Sequence, residues 1–229
     1  MESDHPARPI RHSVRTMPHA RSMEQALYAS GMGPVAGVDE AGRGACCGPI
    51  SIAACILPPR PLPELDKLTD SKKLSEKTRE GLYEVIREVA TSFCIIHISA
   101  ADIDEWGIQH ANLSGMRRAV AGLDVTPGYV LTDAMKVPGL TVPHLPVVKG
   151  DLLVRCISAA SVLAKVSRDR VMRELNEQFP GYGLAGHKGY GTKAHMDAVS
   201  LHGGTPYHRY TYKNVAAAHR QWQLTRLSR

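Results

Sequence analysis

Residues 35–48 read VAGVDEAGRGACCG, and the order of residue types in this stretch sets the register of everything around it. The apolar start at 35–38 has strand character. Asp39 and Glu40 stand where such a strand runs out, and Gly42, Arg43 and Gly44 follow as a turn. A second apolar run at 50–56 suits an antiparallel return. Adjacent acids at the end of a buried strand have an ordinary reading as part of a solvated turn. The remainder of the chain weighs against it.

Beyond the second strand, Pro58, Pro59, Pro61 and Pro63 form a rigid surface connection. Ser75 is an N-cap for a helix reaching about residue 90, with Leu82, Val85, Ile86 and Val89 on one face. A third strand is predicted at 92–99, and helices at 101–106 and 108–122. The run at 128–132 is a fourth strand that ends at Asp133, and 146–148 is a fifth that leads into Asp151. A long helix follows over 156–179. After a glycine-rich polar segment come short helices at 193–201 and 214–224. Hairpin-connected strands followed by strands alternating with helices give an α/β mixed sheet with helices on its faces.

The 229 residues suit one domain, and an apolar fraction of 43% fills its core. No apolar run is long enough to span a membrane. The formal net charge of +6 permits a polyanionic partner without demonstrating one. The five cysteines are odd in number and lack C-x-x-C spacing, which points to free thiols in a reducing cytoplasm. Arg8, Arg11, Arg15 and Arg21 mix with Glu2, Asp4 and Glu24, with no apolar segment of a secretory signal. Residues 1–33 read as a flexible N-terminal tail holding a short helix near 23–29. Residues 34–218 read as the catalytic domain and 219–229 as a basic C-terminal tail. The expected state is a monomer.

Asp39, Glu40, Asp133 and Asp151 all stand where apolar strands end. Neighbouring strand ends bring such carboxylates within several ångströms, where they repel unless some are protonated or a cation intervenes. Oxygen-only donors suit magnesium or manganese rather than zinc. One difficulty is that Asp39 and Glu40, as adjacent strand residues, point to opposite faces. The glycines at 37 and 42 offer a twist or bulge that turns them together. Of eleven histidines, His187, His195, His202 and His208 have spacings that fit no compact zinc site, and scattered surface and core roles are expected.

The blocks GVDEAGRG and CGPI, DSKKLS, LTDAMKVPGL, VVKGD, ISAASVLAKVSRD, HKGYGTKAH and GGTPYHRYTY occur in this order. Over about residues 34–218 the sequence resembles bacterial ribonuclease HII. The resemblance implies a ribonuclease H-like fold, a five-stranded mixed sheet flanked by helices with a helical C-terminal part. It also implies cleavage of RNA–DNA hybrids and of duplex DNA holding an embedded ribonucleotide, with two Mg2+ or Mn2+ ions. The catalytic, metal-holding carboxylates fall by resemblance on Asp39, Glu40, Asp133 and Asp151. Asp169, another motif residue, lies deep in a predicted helix and is read as a structural ion pair or cap. The sequence departs from the family's habit at Ala45, Cys46 and Cys47, and at Ala134, where glycine is usual.

Two cations roughly 4 Å apart activate water and help the leaving oxygen, so no histidine base is obligatory. Gly42, Arg43 and Gly44 are read either as a tight chain reversal or as a turn whose backbone reaches a 2′-hydroxyl. Arg43 would then meet a phosphate. Tyr190 is either a packing residue or, by resemblance, the ring that stacks on the sugar. Lys72, Lys73, Lys149 and Lys188 are either solvated or line a duplex track with the basic residues beyond Gly203. A metal-dependent DNA nuclease without ribose discrimination and a catalytically dead hybrid-binding module are the competing functions.

Overall fold

The computed structural model describes residues 21–68, 71 and 74–228. Its first element is helix α1 (Ser22–Ala29), followed by the strands that the opening motif demands, β1 (Val35–Ala41) and β2 (Ile50–Ile56). A 3-10 turn (Pro63–Leu65) leads to α2 (Glu76–Val89), whose N-cap is Ser75, as expected. Then come β3 (Ser92–Ile98), α3 (Ala100–Trp106), α4 (Ile108–Ala121), β4 (Tyr129–Asp133) and β5 (His144–Val147). The C-terminal part comprises α5 (Gly150–Leu153), α6 (Arg155–Gln178), α7 (Leu184–His187), α8 (Lys193–His202) and α9 (Lys213–Leu227).

The five strands order as β3-β2-β1-β4-β5, with β1, β2 and β3 antiparallel and β1, β4 and β5 parallel. This is the mixed sheet the sequence implies. Pro146 is tolerated because β5 is an edge strand. Alternation along β1 divides the core. Val35 faces a layer that includes Leu131, Ile157 and Leu163, while Ala36 and Val38 face one that includes Ile52, Ile98 and Met116. A smaller third cluster joins Cys47, Met172, Tyr182, Leu184 and Val199 beneath the C-terminal helices.

Two expectations are corrected. Strand β1 runs on to Ala41, because Asp39, Glu40 and Ala41 keep pairing with Ala53, Ile52 and Ser51 in β2. The register advances one residue at a time with no bulge. Gly37 instead answers a packing demand: a Cβ there would lie 2.2 Å from the backbone carbon of Cys156. Its absence lets α6 lie against the middle of the sheet.

The tail boundaries also shift. The first twenty residues lie outside the described set, but α1 is part of the folded body. Met23, Leu27 and Tyr28 pack on the core, and the Glu24 side chain is buried beside Arg21. Glu24 accepts backbone N–H groups of Cys156 and Arg155 at the start of α6, where no side-chain cap is supplied from Val154. Burial lifts its carboxyl to about 7 against the pull of Arg21. At the other end, α9 passes through 218–219 without a break.

Gly37→Ala therefore forces helix and sheet apart. Urea unfolding should show a loss of about 3 kcal/mol or more, with the slope against denaturant little changed.

Candidate active site

Strand register places the first three acids. β1 and β4 pair in parallel with Gly37 opposite Leu131 and Val38 opposite Thr132. Continued by one residue, that register sets Asp39 beside Asp133, on the face covered by α6. Neighbouring strands lie about 4.8 Å apart. Asp39 is buried, and Asp133 and Glu40 are half-buried. Burial, then the charge of Glu40, with Asp133 adding to it, hold the Asp39 carboxyl well above the usual carboxylate range. A Ser161 hydroxyl bond and the Glu40 backbone N–H, 2.7 Å from Asp39 Oδ1, pull the other way and do not prevail.

Asp151 does not end a strand. It is buried in the first turn of α5, after a loop in which Lys149 adopts left-handed φ 56°. The Gly150 N–H donates to Asp133 Oδ1 at 2.8 Å, so Asp151 follows directly on the residue that holds Asp133. Ala134 also has positive φ, 50°, which explains the family's preference for glycine there.

A cavity of about 470 Å³ is lined by Asp39, Glu40, Ala41, Gly42, Arg43, Gly44 and Tyr190. Ser71, Arg79, Ser161 and Lys165 complete its lining, whereas Asp133 and Asp151 stand outside it, on β4 and α5. Asp39 and Glu40 consequently share their space with the turn and the tyrosine singled out from sequence.

The two glycines of the turn differ. Gly42 has φ +86°, and a Cβ on it would sit 1.9 Å from Arg168 Nε. Backbone and packing both demand glycine. Gly44 has ordinary φ, and the nearest atom to its missing Cβ is the Tyr190 ring at 3.9 Å. Nothing in the fold requires glycine at 44. Arg43 is exposed and donates to Gln109 Oε1 at 2.7 Å.

The turn is fastened from below by two fully buried guanidinium groups. Arg168 donates to the carbonyls of Pro49, Cys47 and Lys188, at 2.9, 3.1 and 2.9 Å. Arg209 donates to the carbonyls of Gly48 and Arg43. Sequence reading passed over both. Helical spacing held the signal for the first, because Ser161, Lys165 and Arg168 fall at i, i+4 and i+7 on one face of α6. No local pattern marks Arg209.

Other assignments fare unevenly. Lys188 is half-buried, with its ammonium 3.7 Å from Glu76, and is not part of the cavity lining. Lys149 is exposed. Lys72 and Lys73 lie outside the described residues. Asp169 pairs with Lys165 at 2.7 Å, the ion pair expected of it. Three of the histidines are not scattered: His187 stacks on His195 with centroids 4.4 Å apart, and His195 meets His208, while His202 is exposed.

Comparison with known proteins matches this architecture to one family. The Ribonuclease HII profile covers residues 36–215. Ribonuclease HII of Corynebacterium jeikeium is 79% identical over 201 residues, spanning 87% of this chain and 97% of that protein. The chain belongs to the ribonuclease HII family. The enzyme of Corynebacterium diphtheriae is 65% identical, covering 91% of each chain. The crystal structure of ribonuclease H2 from Pyrococcus horikoshii shares the fold, with a TM-score of 0.72 at 24% identity, over 82% of this chain and 98% of that one. Ribonuclease HII enzymes cleave RNA in RNA–DNA hybrids, so this protein is a hydrolase of phosphodiester bonds. No helix among the described residues is long and apolar enough to cross a membrane.

The donor set fits hard divalent cations. A buried carboxyl crowded by two others is an electrostatic conflict that Mg2+ or Mn2+ relieves. Among the described residues, the three-donor group whose ligand atoms all lie within 4.8 Å of one another is Cys47, His195 and His208, not a trio of these acids.

The sign of the Asp39 shift gives a test without metal. A carboxyl raised in the fold costs stability above its unfolded-state pKa, and the cost vanishes as pH falls below that value. Asp39→Asn should thus unfold at higher denaturant than the parent at neutral pH. The gain should disappear near pH 3, while cleavage is abolished at every pH. A destabilised variant at neutral pH would show that Asp39 is structural.

Proposed function

We propose that the enzyme incises duplex DNA on the 5′ side of an embedded ribonucleotide, besides cleaving RNA in hybrids, with Asp39, Glu40, Asp133 and Asp151 as its metal-binding and catalytic carboxylates. The observation that carries this reading is the shared cavity, whose lining puts Gly42, Arg43, Gly44 and Tyr190 beside Asp39 and Glu40. Glycine at 44 serves no need of the fold, and the Tyr190 side chain is exposed enough to meet a ligand.

The chain's own groups then have distinct tasks. The backbone of residues 42–44 approaches the sugar and bonds its 2′-hydroxyl. Tyr190 stacks against the sugar from the other side, and Arg43 faces a phosphate. Lys188 adds sequence-independent attraction to the backbone, the role that the sequence also suggests for Lys72. The four carboxylates would hold two Mg2+ or Mn2+ ions, whose Lewis acidity would activate water and steady the leaving oxygen. Water oxygen adds to phosphorus, the bond to the upstream 3′-oxygen breaks, and that oxygen takes up a proton. On the 5′ side of a lone ribonucleotide the leaving 3′-oxygen belongs to a deoxynucleotide. That sugar has no 2′-hydroxyl to act as nucleophile, so water must attack.

A duplex bearing one ribonucleotide, incubated with Mg2+ or Mn2+ beside an all-DNA control, should yield a 3′-hydroxyl upstream and a 5′-phosphate on the ribonucleotide. Cutting of the control would indicate a DNA nuclease without ribose discrimination. No cutting of either substrate, with binding retained, would indicate a hybrid-binding module.

Two substitutions separate recognition from chemistry. Tyr190→Ala should lower kcat/KM roughly 5- to 150-fold, the range of about 1–3 kcal/mol for a stacked nucleotide, and Tyr190→Phe should restore most of it. Gly44→Ala should impair cleavage with its melting temperature unchanged. Wild-type cleavage by Gly44→Ala would remove the turn from ribose recognition.

A further inference from the structure

The Cys47, His195 and His208 cluster lies next to the candidate site, and the carbonyl at its end belongs to Tyr190. Its hydrogen bonds can be assigned because both ends of the chain are backbone groups with a single possible role. The Thr205 N–H, only a donor, lies 2.9 Å from His208 Nδ1, so that nitrogen accepts. A neutral His208 therefore carries its proton on Nε2, which faces His195 Nε2 at 3.0 Å. His195 Nε2 must accept, leaving the proton on Nδ1, which donates to the Tyr190 carbonyl at 2.9 Å. All four ring nitrogens are satisfied in one consistent pattern, with both rings neutral. Burial favours the same state, holding His195 and His208 at about 4.

The stacked neighbour extends the pattern. His187 Nδ1 accepts the Gly189 N–H at 3.2 Å, and its Nε2 donates to the Tyr182 carbonyl at 2.8 Å. The chain between these histidines is in left-handed backbone, φ 52° at Lys188 and 79° at Gly189. A non-glycine residue in that conformation persists only where its surroundings hold it. Here the Gly189 carbonyl is bonded by the backbone of Cys46 and Cys47, and the Lys188 carbonyl by Arg168. The Tyr190 carbonyl is the next group along; it accepts the nearby Thr192 N–H at 2.8 Å and the His195 Nδ1–H at 2.9 Å, and the second bond is the one that ties it to the buried histidine pair.

We propose that His195, backed by His208, is a positioning residue for ribonucleotide recognition: it fixes the Tyr190 carbonyl and thereby aims the tyrosine ring at the sugar. This rests on the reading of Tyr190 as the stacking residue. Cys47 fills the remaining side of the cluster, and burial pushes its thiol up to about 12, so it stays protonated. The three side chains thus act as a hydrogen-bonded support and not as a zinc site.

The assigned protons make opposite demands at the two positions. An asparagine amide can reach where Nδ1–H stood, whereas a glutamine amide reaches the place of Nε2–H. On the one-ribonucleotide duplex with Mn2+, His195→Asn should keep kcat/KM within about 3-fold of the parent, and His195→Gln should lose roughly 5- to 15-fold. At His208 the order should reverse, with His208→Gln active and His208→Leu impaired. A packing role predicts that glutamine, nearer in volume to histidine than asparagine is, does better at 195, and that leucine in this buried place does as well as glutamine at 208; either result would overturn the proposal. If the position 195 variants do not fold by circular dichroism, the His208 pair still decides.

A double-mutant cycle provides the second readout. If His195 acts through Tyr190, His195→Gln should cost less than about 2-fold in a Tyr190→Ala background. Losses that multiply, with Tyr190→Ala itself impaired, would reject positioning while sparing the stacking reading. Wild-type cleavage by Tyr190→Ala would reject both. Binding of one equivalent of Zn2+ by the metal-free parent, lost in His208→Leu, would overturn the assigned protonation.

Discussion

Two guanidinium groups without access to solvent, Arg168 on α6 and Arg209 beyond α8, hold the rest of the candidate site in place. Between them they satisfy the carbonyls of residues 43, 47, 48, 49 and 188. These carbonyls belong to irregular backbone buried under the C-terminal helices, where an orphaned acceptor costs about 1–3 kcal/mol. Arginine alone offers five donors in a rigid fork, so one side chain can bridge segments more than a hundred residues apart. Burial, with Arg209 nearby, lowers Arg168 to about 10, which still leaves it charged at neutral pH. Two like charges coexist there because each is surrounded by carbonyl oxygens. The same contacts dictate Gly42, since its missing side chain is where Arg168 passes.

A second constraint runs in the opposite direction. Parallel pairing of β1 with β4 sets Asp39 next to Asp133, and continued pairing with β2 keeps Glu40 beside them. The sheet is stabilised by its apolar faces, and the carboxylates ride on the ends of strands that those faces hold. Asp39 is left with its charged form disfavoured by burial and by its neighbours. A fold under selection for stability alone would place an amide or an apolar residue there. Rigid strands and the close approach of α6 at Gly37 prevent the acids from moving apart to relieve the conflict.

The C-terminal segment adds a third layer of support, neutral where the first two are charged. Histidines 195 and 208 join by single-proton hydrogen bonds that run from the Thr205 N–H to the Tyr190 carbonyl, and His187 stacks on His195 while bonding the Gly189 N–H and the Tyr182 carbonyl. The bridge between Cys47 and His208 ties this segment to the GRG turn. Turn, tyrosine and carboxylates lie on one rigid body because arginine, histidine and sheet each lock a different segment against the others.

Much of this was legible in the amino-acid sequence. Alternation and turn chemistry identified the five strands, the capped helix at Ser75 and the acids near the ends of β1 and β4, because these depend on local periodicity, whereas Asp151 belongs to the first turn of α5. Seven ordered blocks carried the family. The expected bulge at Asp39–Glu40 was wrong, since the pairing of β2 outweighs the flexibility of a nearby glycine. The tail at 21–33 was misjudged because Glu24 gains its partners from α6, far along the chain. Histidine spacing suggested dispersal, although folding brings His195 and His208 to 3.0 Å. By itself the sequence determined which chemistry the chain carries and on which elements it rides, through short-range patterns of apolar and polar residues. Only the tertiary structure decided which glycine packing demands and which it does not, because that depends on Arg168 and Tyr190 arriving from distant segments.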